Sequence, residues 1–211
     1  MMKQAVIVLA VLGIAFSAPQ PRKQFSEHVS EFLNIIEEEA GDEIYNLMQQ
    51  YLEFEEFRTA LAYTRSTNFR DLIYEMEDLP EFNAVLDFLE KDNIDIHTFI
   101  DLLNEILEDI EKMKRNTRQS VSGTTMTDFI YDSIAVFPTA KLSALFDEKM
   151  ANDEAFSTAL INLRSEEFSQ LANALFENEI FRQEIQSLRE NGVEIEVLMD
   201  EVLAIFGQTL P

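Results

Sequence analysis

The sequence predicts an all-α fold from three observations. Its apolar residues recur with helical period: between Phe69 and Met76 they follow the spacing i, i+3, i+4 and i+7, which places them on one helix face. Ser66 and Ser165 stand directly before such segments, where an N-cap is expected. No segment alternates convincingly with period two, as a half-buried strand would. The pattern therefore favours helices throughout.

The chain is an internal duplication. Residues 57–61 recur as residues 156–160, and the apolar register then holds without a gap through the rest of both copies. Upstream the offset is one residue shorter, so the second copy gains a residue near Asn152. Asn93 aligns with Gly192, and these residue types best tolerate the left-handed conformation that ends a helix. A chance match would not keep this register.

Six helices are predicted in each copy. Residues 18–113 form the first repeat and residues 126–211 the second. A linker at 114–125 joins them and is rich in Arg, Ser and Thr. It is the expected site of trypsin-like cleavage. Two copies are too few for an open solenoid, so we expect them to close on one another as one compact domain. The predicted spans are 25–39, 42–53, 54–64, 66–77, 79–91 and 95–113, then 126–136, 139–150, 152–163, 165–177, 178–190 and 194–207.

Residues 1–17 are predicted to be a secretory signal peptide. Lys3 gives a positive start, an apolar stretch follows, and Ala15 and Ser17 are small residues suited to the −3 and −1 positions of a cleavage site. The apolar stretch is well short of the ~20 residues that a membrane-spanning helix needs. We therefore expect a secreted, extracellular mature protein.

Composition limits the partners and the chemistry. The net charge is −24, and such a surface repels nucleic acid and anionic lipid head groups. Hydrophobic residues make up 46% of the chain and include 17 Phe, so the protein can bury a core despite its charge. It has no cysteine, which excludes disulfides, thiol catalysis and cysteine-ligated zinc.

Catalytic and metal sites are hard to build from this sequence. His28 and His97 are its two histidines, and they occupy non-equivalent places in the two copies. His97 has Asp95 and Asp101 nearby, but zinc needs three or four convergent ligands, so we expect a solvated helical histidine there. Only five glycines are available for phosphate-binding or nucleophile-bearing turns. We expect no enzyme activity, no metal and no cofactor.

The apolar stripes have two interpretations. In an ordinary helical domain they pack against each other as a solid core. A closed shell of amphipathic helices could instead leave a concave site for lipid. Periodicity alone does not distinguish these two arrangements.

The Phe-x-Thr-Ala-Leu segments resemble those of the insect allergen repeat family. In both copies an arginine (Arg65 or Arg164) and then a phenylalanine (Phe69 or Phe168) follow the segment, and the Phe-Pro turn at 137–138 adds to the likeness. This family includes the major cockroach allergen repeat, insect midgut microvillar proteins and nitrile-specifier-related proteins. The likeness covers essentially the whole mature chain and rests mainly on apolar patterns. One departure is Ala40, beside Gly41, where the second copy has Pro138.

The resemblance implies a helical shell around a large apolar cavity that holds fatty acids or phospholipid as cargo. It also implies secretion into the gut lumen or onto the microvillar surface, and in one branch a role in redirecting glucosinolate breakdown. We expect a monomer with lipids as partners, whose transient membrane contact exchanges lipid and lyses cells.

On this hypothesis, the fourth to sixth helices of both copies line the cavity. The alternatives are a cargo-free acidic scaffold module and a specifier-like detoxification protein. The predicted lipid-binding residues are Phe69, Leu72, Met76, Phe82, Leu86, Phe99 and Leu103 in the first copy, and Phe168, Leu171, Leu175, Phe181, Ile185, Leu198 and Val202 in the second.

Overall fold

A computed structural model describes residues 25–92, residue 94 and residues 121–208. Within these ranges the chain forms ten helices and no strands, which confirms the all-α prediction. The helices are α1 (Phe25–Tyr51), α2 (Glu55–Thr64), α3 (Thr67–Glu77), α4 (Pro80–Glu90), α5 (Met126–Val136), α6 (Thr139–Asn152), α7 (Glu154–Asn162), α8 (Glu166–Glu177), α9 (Glu179–Glu190) and α10 (Ile195–Ile205). The signal peptide, the helix predicted at 95–113 and most of the linker lie outside the described residues.

The first copy begins with one helix where the sequence predicted two. The spans 25–39 and 42–53 are joined in α1, a continuous helix of 27 residues. Ala40 and Gly41 lie at the expected break, and both residues can adopt helical backbone angles without a clash. A Cβ atom placed on Gly41 would meet only the Glu37 side chain, at an ordinary 3.7 Å. The prediction of two helices here was wrong.

The second copy has the break, at Phe137 and Pro138. Phe137 takes an extended conformation (φ −62°, ψ 142°), as expected of a residue that precedes proline. The axes of α5 and α6 therefore meet at 77°. In the described ranges no single helix is long and apolar enough to cross a membrane, although this bent pair together has the length and composition of a span.

Three helices recur at equivalent places in the two copies. Helices α7, α8 and α9 begin 99 positions after α2, α3 and α4. The predicted caps are confirmed: Ser66 accepts a hydrogen bond from the Phe69 amide and Ser165 from the Phe168 amide, each at 3.1 Å. Gly192 has φ +81° where α9 ends, as predicted. Its counterpart Asn93 lies outside the described residues.

Helices from both copies pack against each other. In the described part of the chain, α1 packs chiefly against α5, α4 against α8, and α3 against α9. Near the end of the linker, Asp132 accepts hydrogen bonds from the Ser122 amide (2.8 Å) and the Tyr51 hydroxyl (2.6 Å). Each of these contacts joins the first copy, or the linker, to the second copy. The apolar faces of the two copies are therefore buried against one another.

Candidate functional site

The predicted lipid-binding residues converge on one apolar region, which we call the central cluster. It is built from α3 and α4 of the first copy and from α7 to α10 of the second. Seven predicted residues are buried in it: Phe69, Leu72, Met76, Phe82, Phe168, Leu175 and Phe181. Four more are half-buried and pack against it: Leu86, Leu171, Ile185 and Leu198. Residues far apart in the sequence thus share one apolar environment.

One described residue of the predicted set does not join the central cluster. Val202 packs against a second cluster, which forms between α1, α6 and the end of α10. Phe99 and Leu103 lie outside the described residues. The described part of the predicted set therefore belongs mostly, but not wholly, to one region.

Aromatic and polar contacts hold the two copies together around the central cluster. The rings of Phe88 on α4 and Phe168 on α8 lie 5.2 Å apart between centroids. At the margin, the Asn178 side chain donates to Glu81 at 3.1 Å. The Asn162 side chain donates to both carboxylate oxygens of Asp92, at 3.0 and 2.8 Å. These polar contacts fix the register of one copy on the other.

Carboxyl groups on α3 and α9 have raised pKa values. Burial, and then the charge of Asp78, raises the pKa of Glu77 to about 7. Burial also raises the pKa of Glu184, with further contributions from the charge of Glu75 and from a hydrogen bond with it. A hydrogen bond between two carboxyl groups requires a proton on one of them. This contact between the copies therefore favours a protonated state.

Glu201 on α10 is a polar residue that the sequence reasoning did not single out. Burial raises its pKa to about 7. Leu198, Val202 and Ile205 flank it at the helical spacings i−3, i+1 and i+4. The available signal in the sequence was an acidic residue at a helical position where an apolar residue is expected. The many acidic residues of the chain concealed this signal.

A buried polar group connects α1 with α6. Lys149 is 6% exposed and His28 is 1% exposed. The Lys149 ammonium lies 2.8 Å from the Glu31 carboxylate and 3.2 Å from Nδ1 of His28. Asp153 approaches the same histidine nitrogen at 3.6 Å. Nothing in the sequence pattern indicated that His28 is buried, and its environment is a structural contact between the copies.

No metal centre is found in the described ranges. They contain no group of three or more His, Cys, Asp or Glu side chains arranged to hold an ion. His97, Asp95 and Asp101 lie outside these ranges, so their predicted solvated state stays a prediction.

Comparison with known proteins places the chain in a family. A family model described as insect allergen related repeat, nitrile-specifier detoxification, matches residues 24–199. The chain belongs to the insect allergen related repeat family. Protein G12 of Anopheles gambiae is a distant relative, 22% identical over 213 positions that cover 98% of this chain and 99% of Protein G12. The resemblance inferred from the repeated segments is thereby confirmed.

The match to the insect allergen related repeat family covers both copies and the linker. It includes eleven of the twelve described residues that were predicted to bind lipid, all except Val202. It ends at residue 199, inside α10 and two positions before Glu201. The central cluster is therefore a feature of the family-matched region, and Glu201 lies just beyond it.

Proposed function

We propose that this insect allergen related repeat protein is a secreted lipid carrier that holds the acyl chains of fatty acids or phospholipids in the central cluster. The observation that carries the proposal is the convergence of predicted residues from both copies into one apolar region. An apolar region of this kind, contributed by both repeats, has the chemistry that an acyl chain requires.

The exposure of the cluster residues supports space for cargo. Leu86, Leu171, Ile185 and Leu198 pack against the cluster and yet keep accessible surface. Side chains that border an internal space have this property, as do side chains at the solvent-facing edge of a core, and the variants below distinguish the two cases. The phenylalanines buried behind these four side chains would form a rigid wall of the cargo space.

The hydrophobic effect supplies enough free energy for such binding. Each buried methylene contributes ~0.8 kcal/mol. Ten buried methylenes therefore contribute about 8 kcal/mol, which corresponds to a micromolar dissociation constant before the costs of binding are subtracted. We propose a monomer that exchanges its lipid with gut membranes by transient contact, a process that lyses cells when lipid is extracted.

A pair of tryptophan variants tests this function. Leu171→Trp fills space beside the central cluster, and Ile161→Trp is the matched control because Ile161 is 60% exposed. If the accessible face of Leu171 borders a cargo space, binding of a fluorescent fatty acid falls about tenfold, while folding stability changes little. Titration of the delipidated protein measures the affinity for the fatty acid, and urea unfolding measures the folding stability.

The other outcomes contradict the proposal in distinct ways. A solid core would be overpacked by Leu171→Trp, which would cost about 1–3 kcal/mol of stability, and the parent protein would bind no fatty acid. That result would favour a cargo-free scaffold with an acidic recognition surface. If the variant matches the Ile161→Trp control in both measurements, Leu171 faces open solvent and is not part of the site.

A second candidate function follows from the family description, which includes nitrile-specifier detoxification. It predicts that the protein diverts glucosinolate breakdown from isothiocyanate to nitrile. Incubation with myrosinase and a glucosinolate, followed by analysis of the products, tests it. An unchanged yield of isothiocyanate would remove this candidate.

A further inference from the structure

A buried histidine, His28, lies where α1 of the first copy meets the junction of α6 and α7 in the second. It is 1% exposed. Its Nδ1 atom has two polar neighbours of opposite charge. The ammonium of Lys149, on α6, lies 3.2 Å from this nitrogen, and the Oδ2 atom of Asp153, between α6 and α7, lies 3.6 Å from it. One ring nitrogen therefore faces both a donor and an acceptor.

The contact with Lys149 determines the protonation state of His28 in this structure. An ammonium group only donates hydrogen bonds, so Nδ1 must accept, and the imidazole is neutral with its proton on Nε2. Asp153, at 3.6 Å, is beyond hydrogen-bond distance of the same nitrogen. In the neutral state, therefore, His28 connects α1 to α6 and not to α7.

The carboxylate of Asp153 is already held in place for a second contact. Its Oδ1 atom accepts a hydrogen bond from the Phe156 amide at 3.0 Å and caps the N-terminus of α7, while Oδ2 faces His28. The ring of Phe156 also packs against the imidazole, with the two centroids 5.4 Å apart. The N-terminus of α7 thus presents an oriented acceptor only slightly beyond hydrogen-bond distance.

We propose that His28 is a pH-sensitive switch, which exchanges Lys149 for Asp153 as its partner when the imidazole takes up a proton. The protonated imidazole carries a hydrogen on Nδ1, so it no longer accepts from Lys149 and instead donates to Asp153. The exchange moves this polar attachment of α1 from α6 to the N-terminus of α7. The inference concerns the contact between the copies and does not depend on the proposed lipid-carrier function.

Protonation of His28 also changes the environment of Lys149. This ammonium is 6% exposed and has the Glu31 carboxylate of α1 at 2.8 Å as a counter-ion. A proton on Nδ1 places a second cation 3.2 Å from it. Both groups are buried beside the apolar second cluster, where repulsion between charges is screened less than in water. We therefore expect the end of α6 to be held less tightly against α1 at acid pH.

The other helices that pack against α1 bring mainly apolar side chains to this region. The second cluster contains Phe137 at the end of α5, and Ile205 and Phe206 at the end of α10. Glu201 of α10 is half-buried and is the acid to be controlled for. On α5, α6 and α10, the other described titratable groups are exposed or bonded elsewhere: Asp128 to Thr125, Tyr131 to Asp200, Asp132 to Tyr51, Lys141 to Glu39 and Glu196 to Arg189, with Asp147 and Glu148 exposed.

Double-mutant cycles at two pH values test the switch. His28→Phe keeps an aromatic ring, Lys149→Met keeps a long unbranched side chain, and Asp153→Asn keeps an oxygen that can cap α7. Each of the last two is made alone and together with His28→Phe in the full chain. Urea unfolding at pH 8 and at pH 5 gives the coupling within each pair, on either side of the value of ~6.5 at which an ordinary histidine titrates.

The two couplings are expected to change in opposite directions. At pH 8 the coupling of His28 with Lys149 favours the folded state about tenfold in the unfolding equilibrium constant, and the coupling of His28 with Asp153 is much smaller. At pH 5 the coupling with Asp153 rises to about tenfold, and the coupling with Lys149 is lost or becomes unfavourable. A contact that is only structural would give the same couplings at both pH values.

Matched controls separate the switch from the acidic surroundings. Glu201→Gln removes the half-buried acid of α10, and Glu148→Gln removes an exposed acid of α6. Cycles repeated in each of these backgrounds should give the couplings of the parent protein at both pH values.

Nitrogen NMR of the imidazole provides a second test that needs no change at the switch. The chain has two histidines, so His97→Gln leaves the signals of His28 alone. We expect Nδ1 to be unprotonated at pH 8 and both ring nitrogens to be protonated at pH 5, in protein that remains folded by circular dichroism.

Two results overturn the inference. If the coupling of His28 with Lys149 is the same at pH 5 as at pH 8, protonation does not exchange the partners. If Nδ1 stays unprotonated at pH 5 in the folded protein, His28 is a permanently neutral structural residue. Neither test uses lipid binding, so failure of the switch and failure of the lipid-carrier function are distinguishable.

Discussion

The half-buried carboxyl of Glu77 is expected to make the stability of this protein depend on pH. Oε1 of Glu77 is buried and has no hydrogen-bond partner among the described residues. The pKa of Glu77 is about 7, above its ordinary value of 4.5, so the folded state binds a proton more tightly than the unfolded state does. Stability is therefore greatest below about pH 4.5 with respect to this group and declines as the pH rises toward 7.

Glu77→Gln is expected to stabilise the protein at pH 8. The amide cannot ionise, so the variant avoids the cost of a buried carboxylate, which is of the order of 1–3 kcal/mol for a partly buried group. At pH 5, where Glu77 is mostly protonated, the variant and the parent differ little. Urea unfolding at both pH values checks this prediction. Glu90→Gln, a change at an exposed acid of α4, is the control; an equal gain there would contradict the argument from burial.

Among the described helices, the copies differ mainly at one place, where the first has Ala40 and Gly41 and the second has Pro138. The helices on both sides of this place could be predicted from the helical period of their apolar residues and from their cap residues. Both signals come from residues close together in the sequence. The sequence suggested a break in α1, since glycine lowers helix propensity, but α1 packs along α5 and its interior is held by that contact. Proline breaks a helix by removing a donor and by a steric clash, whereas glycine only weakens it.

Gly41→Ala is expected to stabilise the protein by about 0.5–1 kcal/mol. Alanine has the higher helix propensity, and its Cβ would meet only Glu37, at 3.7 Å. Ala40→Pro should have the opposite effect and cost about 3 kcal/mol or more, because Ala40 is 2% exposed within a continuous helix. Thermal unfolding of both variants measures the two effects. A neutral Ala40→Pro would show that α1 tolerates a break at this place.

The caps of α3 and α8 allow a comparison of equivalent elements. Ser66→Ala and Ser165→Ala each remove a hydrogen bond to a helix amide, and each is expected to cost about 1 kcal/mol. Because the two serines cap separate helices, the double variant should cost about the sum. Denaturant unfolding of the three variants measures these costs. A double variant that loses much less than the sum would mean that the two caps are coupled and do not act independently.

In the whole molecule, much of the central cluster could be predicted from sequence because the duplication marks equivalent apolar positions. Phe82 and Phe181, one from each copy, are both fully buried in the central cluster. Glu201 could not be located in this way, since its burial depends on how α10 sits among helices distant in the sequence. The same is true of Lys149, whose charge is accommodated by Glu31 and His28 from α1.

Phe82→Ala and Phe181→Ala test whether the copies share one core. Each should cost about 3–5 kcal/mol, and each variant should still unfold in a single transition because both residues belong to the same cluster. Scanning calorimetry checks this prediction. Two separate transitions, with each substitution affecting only one of them, would show that the copies fold independently.

The central claim is that the core shared by the two copies holds lipid. The most direct measurement is native mass spectrometry of protein purified under mild conditions, with solvent extraction of the same sample. The lipid-carrier proposal predicts a mass above that of the polypeptide and at least one acyl-chain lipid in the extract. A mass equal to that of the polypeptide alone, together with an extract free of lipid, would contradict it.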